Sequence, residues 1–125
     1  MNKKILIVDD EPNIVTSLQF LLQQNGYEVD VAQNGVEALQ KIEVNVPNLV
    51  LLDVMMPVMD GFEVSKRIRE NSEWDEVCII YLTAKGRQED KVKGYAKGAD
   101  MYITKPFSTR DLVEQVNDML EHISI

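Results

Sequence analysis

Three acids in a row, Asp9-Asp10-Glu11, close the short apolar run ending at Val8, and Asp53 closes the run Leu49 to Leu52. Thr83 follows the stretch VCIIYL, and Lys105 stands between Thr104 and Pro106. Two carboxylates about 4 Å apart repel by about 4 kcal/mol at an effective dielectric near 20. A gathered set of three therefore calls for a protonated member or a compensating cation. Mg²⁺ suits a site with one or two direct carboxylates, several waters and a phosphate. Lys105 precedes a proline, which favours extended backbone and lets its ammonium reach towards a carboxylate or phosphate. Thr83 offers a hydroxyl donor. Taken singly, each has an ordinary explanation: acids at a helix N-terminus complement the macrodipole, the lysine is a solvated surface group, the threonine a turn residue. The chemistry depends on their being brought together.

The elements that must do so are legible as an alternation of short β-rich runs and amphipathic segments. Lys4 to Val8, Glu28 to Ala32, Leu49 to Asp53, Val77 to Leu82 and Met101 to Thr104 read as strands. Between Pro12 and Gln24 the apolar residues Ile14, Leu18, Leu21 and Leu22 share one helical face, and Asn25-Gly26 ends it. Asn34 caps a helix carrying Val36, Leu39 and Ile42, stopped by Pro47. A third helix carries Phe62, Val64 and Ile68 after the Pro57 to Gly61 turn; a short one spans Glu89 to Lys97. The last begins at Ser108, with Asp111 three residues on, and carries Leu112, Val116, Met119 and Leu120. Strands apolar at every position are buried on both faces, so helices should cover both sides of a parallel sheet. In such sheets ligands bind outside the carboxyl ends of the strands, where Asp9-Asp10-Glu11, Asp53, Thr83 and Lys105 all fall.

Size and composition fit one domain over residues 1–125: 45% of residues are hydrophobic and 27% charged. The net charge of -8 argues against direct nucleic-acid or anionic-membrane binding, which relies on Lys and Arg. No run approaches the ~20 apolar residues of a membrane helix, and Ile5 to Val8 is too short for a signal sequence. The single Cys78 excludes an internal disulfide and fits a reducing cytoplasm.

IVDDE, LLDVMMPVMDG, YLTA and YITKPF resemble, in order and spacing, the motifs of response-regulator receiver domains of two-component systems, from Lys4 to Leu120. The resemblance implies a flavodoxin-like, doubly wound (βα)₅ fold with strand order 2-1-3-4-5. It implies Asp53 as phosphoacceptor, and Asp10 and Asp53 as direct Mg²⁺ ligands, with Asp9 close by or acting through water and the Met55 carbonyl completing the protein's share. It makes Thr83 the switch hydroxyl, Lys105 the lysine that pairs with the phosphoryl group, and Tyr102 the aromatic whose rotamer follows activation. The implied partner is a sensor histidine kinase or a histidine phosphotransfer protein. Output would run through the face formed by the 89–97 helix, the fifth strand and the last helix, also a surface for a homodimer. The domain would promote its own phosphorylation rather than act as an enzyme on a separate substrate.

Met55 and Lys85 occupy positions that influence water access in the family, and neither is a water-orienting amide or carboxylate, so slow hydrolysis of the phosphorylated state is expected. A Mg²⁺-dependent phosphatase with an aspartyl nucleophile would need a general acid where Met55 stands, and a cap domain for which the chain has no room. A dinucleotide-binding domain would need a G-x-G-x-x-G after the first strand, and none follows. A receiver unable to take phosphate would be expected to lack an acid or the lysine; all are present. Whether the domain stands alone or controls a fused output domain is open at this level.

Overall fold

The computed structural model describes residues 2–84, 86 and 98–123. Its elements run β1 (Lys4–Val8), α1 (Pro12–Gln24), β2 (Glu28–Ala32), α2 (Gly35–Val44), β3 (Leu49–Asp53), α3 (Gly61–Glu70), a 3₁₀ turn (Ser72–Trp74), β4 (Cys78–Ala84), β5 (Met101–Lys105) and a C-terminal helix, α4 (Thr109–Ile123). The helix expected over 89–97 and the position Lys85 lie outside the described residues, as do the surroundings of the His122 side chain.

All strand pairs are parallel and the order is β2-β1-β3-β4-β5. This is the doubly wound sheet that the β-α alternation predicts. β3 lies at its centre with all five residues buried, as an uninterrupted apolar run requires. One face packs Leu6, Val50, Leu52, Ile79 and Tyr81 against Ala38 and Ile42 of α2 and Val64 and Ile68 of α3, with Trp74 closing the layer. The other packs Ile5, Ile7, Leu49, Leu51 and Ile80 against Leu18 and Leu22 of α1 and Leu112, Val116 and Leu120 of α4.

Several details differ from expectation: β5 runs one residue further, to Lys105, and β4 begins at Cys78 rather than Val77. β4 continues through Thr83 to Ala84, so the threonine is the penultimate strand residue rather than the first loop residue. On α2 the buried face is Gly35, Ala38 and Ile42, while Val36 is exposed. Gly35 faces α3: a Cβ there would stand 2.6 Å from Val64 Cγ2.

The helix ends follow their capping chemistry. Asn34 Oδ1 accepts from the Glu37 N–H at 2.8 Å, and Asp60 Oδ1 accepts from the Glu63 N–H at 2.9 Å. Ser108 Oγ accepts from the Asp111 N–H at 3.3 Å. Gly26, at φ 91°, turns the chain from α1 into β2 in the left-handed region that glycine tolerates.

Arg69, at the end of α3, moors the approach to β5. Its guanidinium donates to the Gly98 carbonyl at 2.8 Å, the Val77 carbonyl at 2.8 Å and Asp100 Oδ2 at 3.1 Å. Asp100 Oδ2 also accepts from the Ile79 N–H at 2.8 Å. Deeper in, Ser65 Oγ donates to the Phe62 carbonyl and shares a short hydrogen bond with the Tyr81 hydroxyl.

β2 forms one margin of the sheet. There Asp30 Oδ1 accepts from the Val31 N–H at 2.8 Å, and Lys41 of α2 donates to the Val31 carbonyl while pairing with Asp30 at 3.0 Å.

Candidate metal and phosphoacceptor site

β1 and β3 are hydrogen-bonded neighbours, with Val8 opposite Leu52, so the residues that follow each pair emerge side by side. Asp9, Asp10 and Asp53 each present a carboxylate oxygen, and these atoms all lie within 4.8 Å of one another. Asp9 is fully buried, Asp53 nearly so, and Asp10 exposed, giving the cluster a dry floor and a wet mouth. Three oxygen donors of this hardness, one reachable from solvent, suit Mg²⁺ better than any softer ion.

Lys105, the last residue of β5, reaches across the strand tips. Its Nζ lies 3.0 Å from Asp9 Oδ2, 3.0 Å from Glu11 Oε1 and 3.8 Å from Asp53 Oδ1. The Lys105–Pro106 peptide is cis. Asp9 is held at its other oxygen by the Glu11 N–H at 2.9 Å. Asp53 Oδ1 accepts from the Met55 N–H at 3.3 Å.

Electrostatics follow from this crowding. Burial, and then the Asp9 charge with a further push from Asp10, raise the Asp53 carboxyl to about 7, against the pull of Lys105 and the Met55 N–H. Burial works against the Lys105 ammonium, yet hydrogen bonds to Asp9 and Glu11 and the charges of Asp53 and Asp9 together raise its pKa above the ordinary lysine value. Asp53 thus sits where a cation arriving from solvent would be stabilised by carboxylates already assembled.

Thr83 is fully buried on β4, opposite Thr104 of β5, and its hydroxyl donates to the Ala84 carbonyl at 3.4 Å. Tyr102 lies opposite Tyr81, two places along the same pair of strands. Because side chains alternate along a strand, Thr83, Tyr81 and Tyr102 belong to one face of the sheet. Met55 is half exposed beside Asp53, whereas Met56 is buried and Met59 packs against the core. Every residue singled out by sequence at the strand tips therefore lies at this edge.

The roles of two residues escaped sequence reasoning. Glu11 is a direct partner of Lys105; the only hint was its place after two acids. Gly61 begins α3 against the end of β3, where a Cβ would come within 2.5 Å of the Asp53 carbonyl oxygen.

An acidic pocket beside a lysine, at the carboxyl edge of a five-stranded parallel sheet, is the arrangement that the resemblance to receiver domains implies. Residues 5–117 match the response regulator receiver domain family, and the chain belongs to that family. Over all 125 residues it is 49% identical to the alkaline phosphatase synthesis transcriptional regulatory protein PhoP of Bacillus subtilis (strain 168), and it spans 51% of that relative's length. Among solved structures it is similar to the signal receiver domain of a signal transduction histidine kinase from Syntrophus aciditrophicus, with TM-score 0.89 and 31% identity over 98% of this chain and 92% of that one. The chemotaxis protein CheY4 of Vibrio cholerae is similar at TM-score 0.85 and 36% identity, over 94% of this chain and 98% of its own.

Proposed function

We propose that the domain is a phosphorylation switch in which Asp53 accepts a phosphoryl group from a phosphohistidine of a sensor histidine kinase or a histidine phosphotransfer protein. The observation that carries this reading is the convergence of Asp9, Asp10 and Asp53 within 4.8 Å, with Lys105 alongside. One Asp53 oxygen attacks phosphorus, the P–N bond to the imidazole breaks, and the imidazole nitrogen leaves with the bonding pair and is reprotonated from solvent. The transferring group is loose and strongly negative, so positioning and charge stabilisation dominate. Asp10 and Asp53, with the Met55 carbonyl and Asp9 close by, would hold Mg²⁺, which when bound neutralises charge on the phosphoryl oxygens. Lys105 donates to another of those oxygens, adding a second positive charge where negative charge develops.

The resulting phosphoaspartate brings added negative charge and strong acceptors. Thr83 leaves the Ala84 carbonyl to donate to one of them, and Tyr102, on the same face, turns into the space vacated. The altered surface is that of β5 and α4, where an output partner or a second copy would bind. The domain promotes its own phosphorylation by such a donor and passes the group to no third molecule. The 49% identity with PhoP supports a role in transcriptional control.

The test is incubation with acetyl phosphate and Mg²⁺, followed by intact mass measurement. One phosphate is expected on the wild type and none on Asp53→Ala, while Asp10→Asn should need at least tenfold more Mg²⁺ for the same yield. Equal labelling of Asp53→Ala sinks the assignment.

A further inference from the structure

Lys105 is not aimed at Asp53. Two of its three N–H donors are committed, to Asp9 and to Glu11, each at 3.0 Å, and the 3.8 Å gap to Asp53 is too long for a hydrogen bond. Glu11 occupies the N-cap of α1, yet its side chain makes no capping hydrogen bond. Side chains suited to that place are short ones that reach back to the helix backbone; this carboxylate turns outwards to the lysine. The Glu11 backbone N–H meanwhile fixes Asp9. Asp9, Glu11 and Lys105 thus form a closed ring in which one residue supplies both the brace for the buried acid and the outer anchor for the ammonium.

We propose that Glu11 is a positioning residue that holds the Lys105 ammonium off Asp53 in the resting domain and yields it when a phosphoryl group arrives. This inference rests on the phosphoacceptor assignment of Asp53. To donate to phosphoryl oxygens on Asp53, Lys105 must move towards β3. Asp9 lies buried on that path and can keep its contact, whereas Glu11 stands at the solvent side with its side chain 57% exposed. The bond given up is therefore the one to Glu11. A carboxylate competing for the same ammonium makes phosphorylation less favourable than the three aspartates alone would allow.

Glu11→Gln keeps the shape and removes the charge. Labelling with acetyl phosphate breaks the P–O bond to the acetyl group, releases acetate and forms the bond to Asp53. Its initial rate at fixed Mg²⁺ should rise about two- to fivefold in Glu11→Gln, the scale of one partly exposed ion pair. Glu11 could also slow labelling simply by repelling an anionic donor. The Lys105→Gln background separates the two causes, because repulsion would persist there and competition for the ammonium would vanish. A second readout needs no phosphate: the Lys105 Nζ resonance should shift on phosphorylation of the wild type, and in resting Glu11→Gln should already lie part of the way there. An equal rate increase in both backgrounds, or an unmoved Lys105 resonance, overturns the proposal. If wild type labels on Asp53 but Glu11→Gln matches it in rate and spectrum, only the role of Glu11 falls. If wild type takes no label on Asp53, the phosphoacceptor assignment falls and this inference with it.

Discussion

The first residue of α3 lies directly on the carbonyl of Asp53: Gly61 leaves no room for a Cβ, which would stand 2.5 Å from that oxygen and 2.9 Å from Val54 Cα. The Gly61 N–H donates to the Val54 carbonyl at 2.9 Å, so the contact is backbone against backbone. Neither side can give way as a flexible side chain would. Gly61→Ala should lower stability by about 1–3 kcal/mol, the range for overpacking a tight site. Urea denaturation checks this. Because the displaced atoms belong to Asp53 itself, Mg²⁺ affinity should fall as well, which an exposed helix substitution such as Lys66→Ala would not cause.

The raised carboxyl of Asp53 makes a pH prediction with a definite sign. A group whose folded pKa, about 7, exceeds its unfolded value of 3.8 binds more protons when folded. Its contribution is fully present below the unfolded pKa and is lost as pH rises through the folded one. Without Mg²⁺, wild-type stability should therefore fall between about pH 4 and 7 relative to Asp53→Asn. By pH 8 the asparagine variant should be the more stable by about 2–4 kcal/mol. Adding Mg²⁺ at pH 8 should narrow that gap by stabilising wild type. Parallel pH curves for the two proteins would contradict the assigned environment of Asp53.

Met55 presents a half-exposed apolar side chain next to Asp53, where a carboxamide would orient water. Once phosphorylated, the domain should hold its phosphate for long periods. Met55→Asn combined with Lys85→Glu should shorten the half-life about tenfold or more, followed as loss of phosphate after the donor is removed. An unchanged half-life would show that water access is set elsewhere.

Val58 carries φ 72° in the loop between β3 and α3, with its side chain 94% exposed. A β-branched residue in the left-handed region is strained, and its exposure means no packing offsets the cost. Val58→Asn should raise stability by about 1 kcal/mol, seen as a higher denaturation midpoint, with labelling at Asp53 retained.

The gathering of Asp9, Asp10, Asp53, Thr83 and Lys105 at one edge was readable because strand ends in a parallel sheet share an edge whatever the details of packing. The bounds of β1, β2 and β3 were equally plain: β1 and β3 are apolar runs ending at acids, and β2 alternates acids with valines up to Ala32. Less accessible was anything set by side-chain reach. Glu11 looks like one more acid at a helix start until the position of the Lys105 ammonium is known. Arg69 carries no signal in the sequence, because its partners are carbonyls and an aspartate brought to it only by the fold. The glycine that starts α3 reads as a turn residue, because nothing local reports the strand end lying against it. Val36 fits the helical period yet is exposed, since a wide apolar stripe leaves its own margins uncovered.

At the outer side of β2, one ion pair occupies both hydrogen-bonding groups of Val31: Asp30 takes the N–H, and Lys41 fills the carbonyl. A foreign strand approaching this margin would meet a rung already in use and two charges to desolvate. The domain thus carries its own guard against edge-to-edge strand pairing on that flank. Neutralising Lys41 would cost little folding energy but would leave the Val31 carbonyl open to the N–H of a foreign strand.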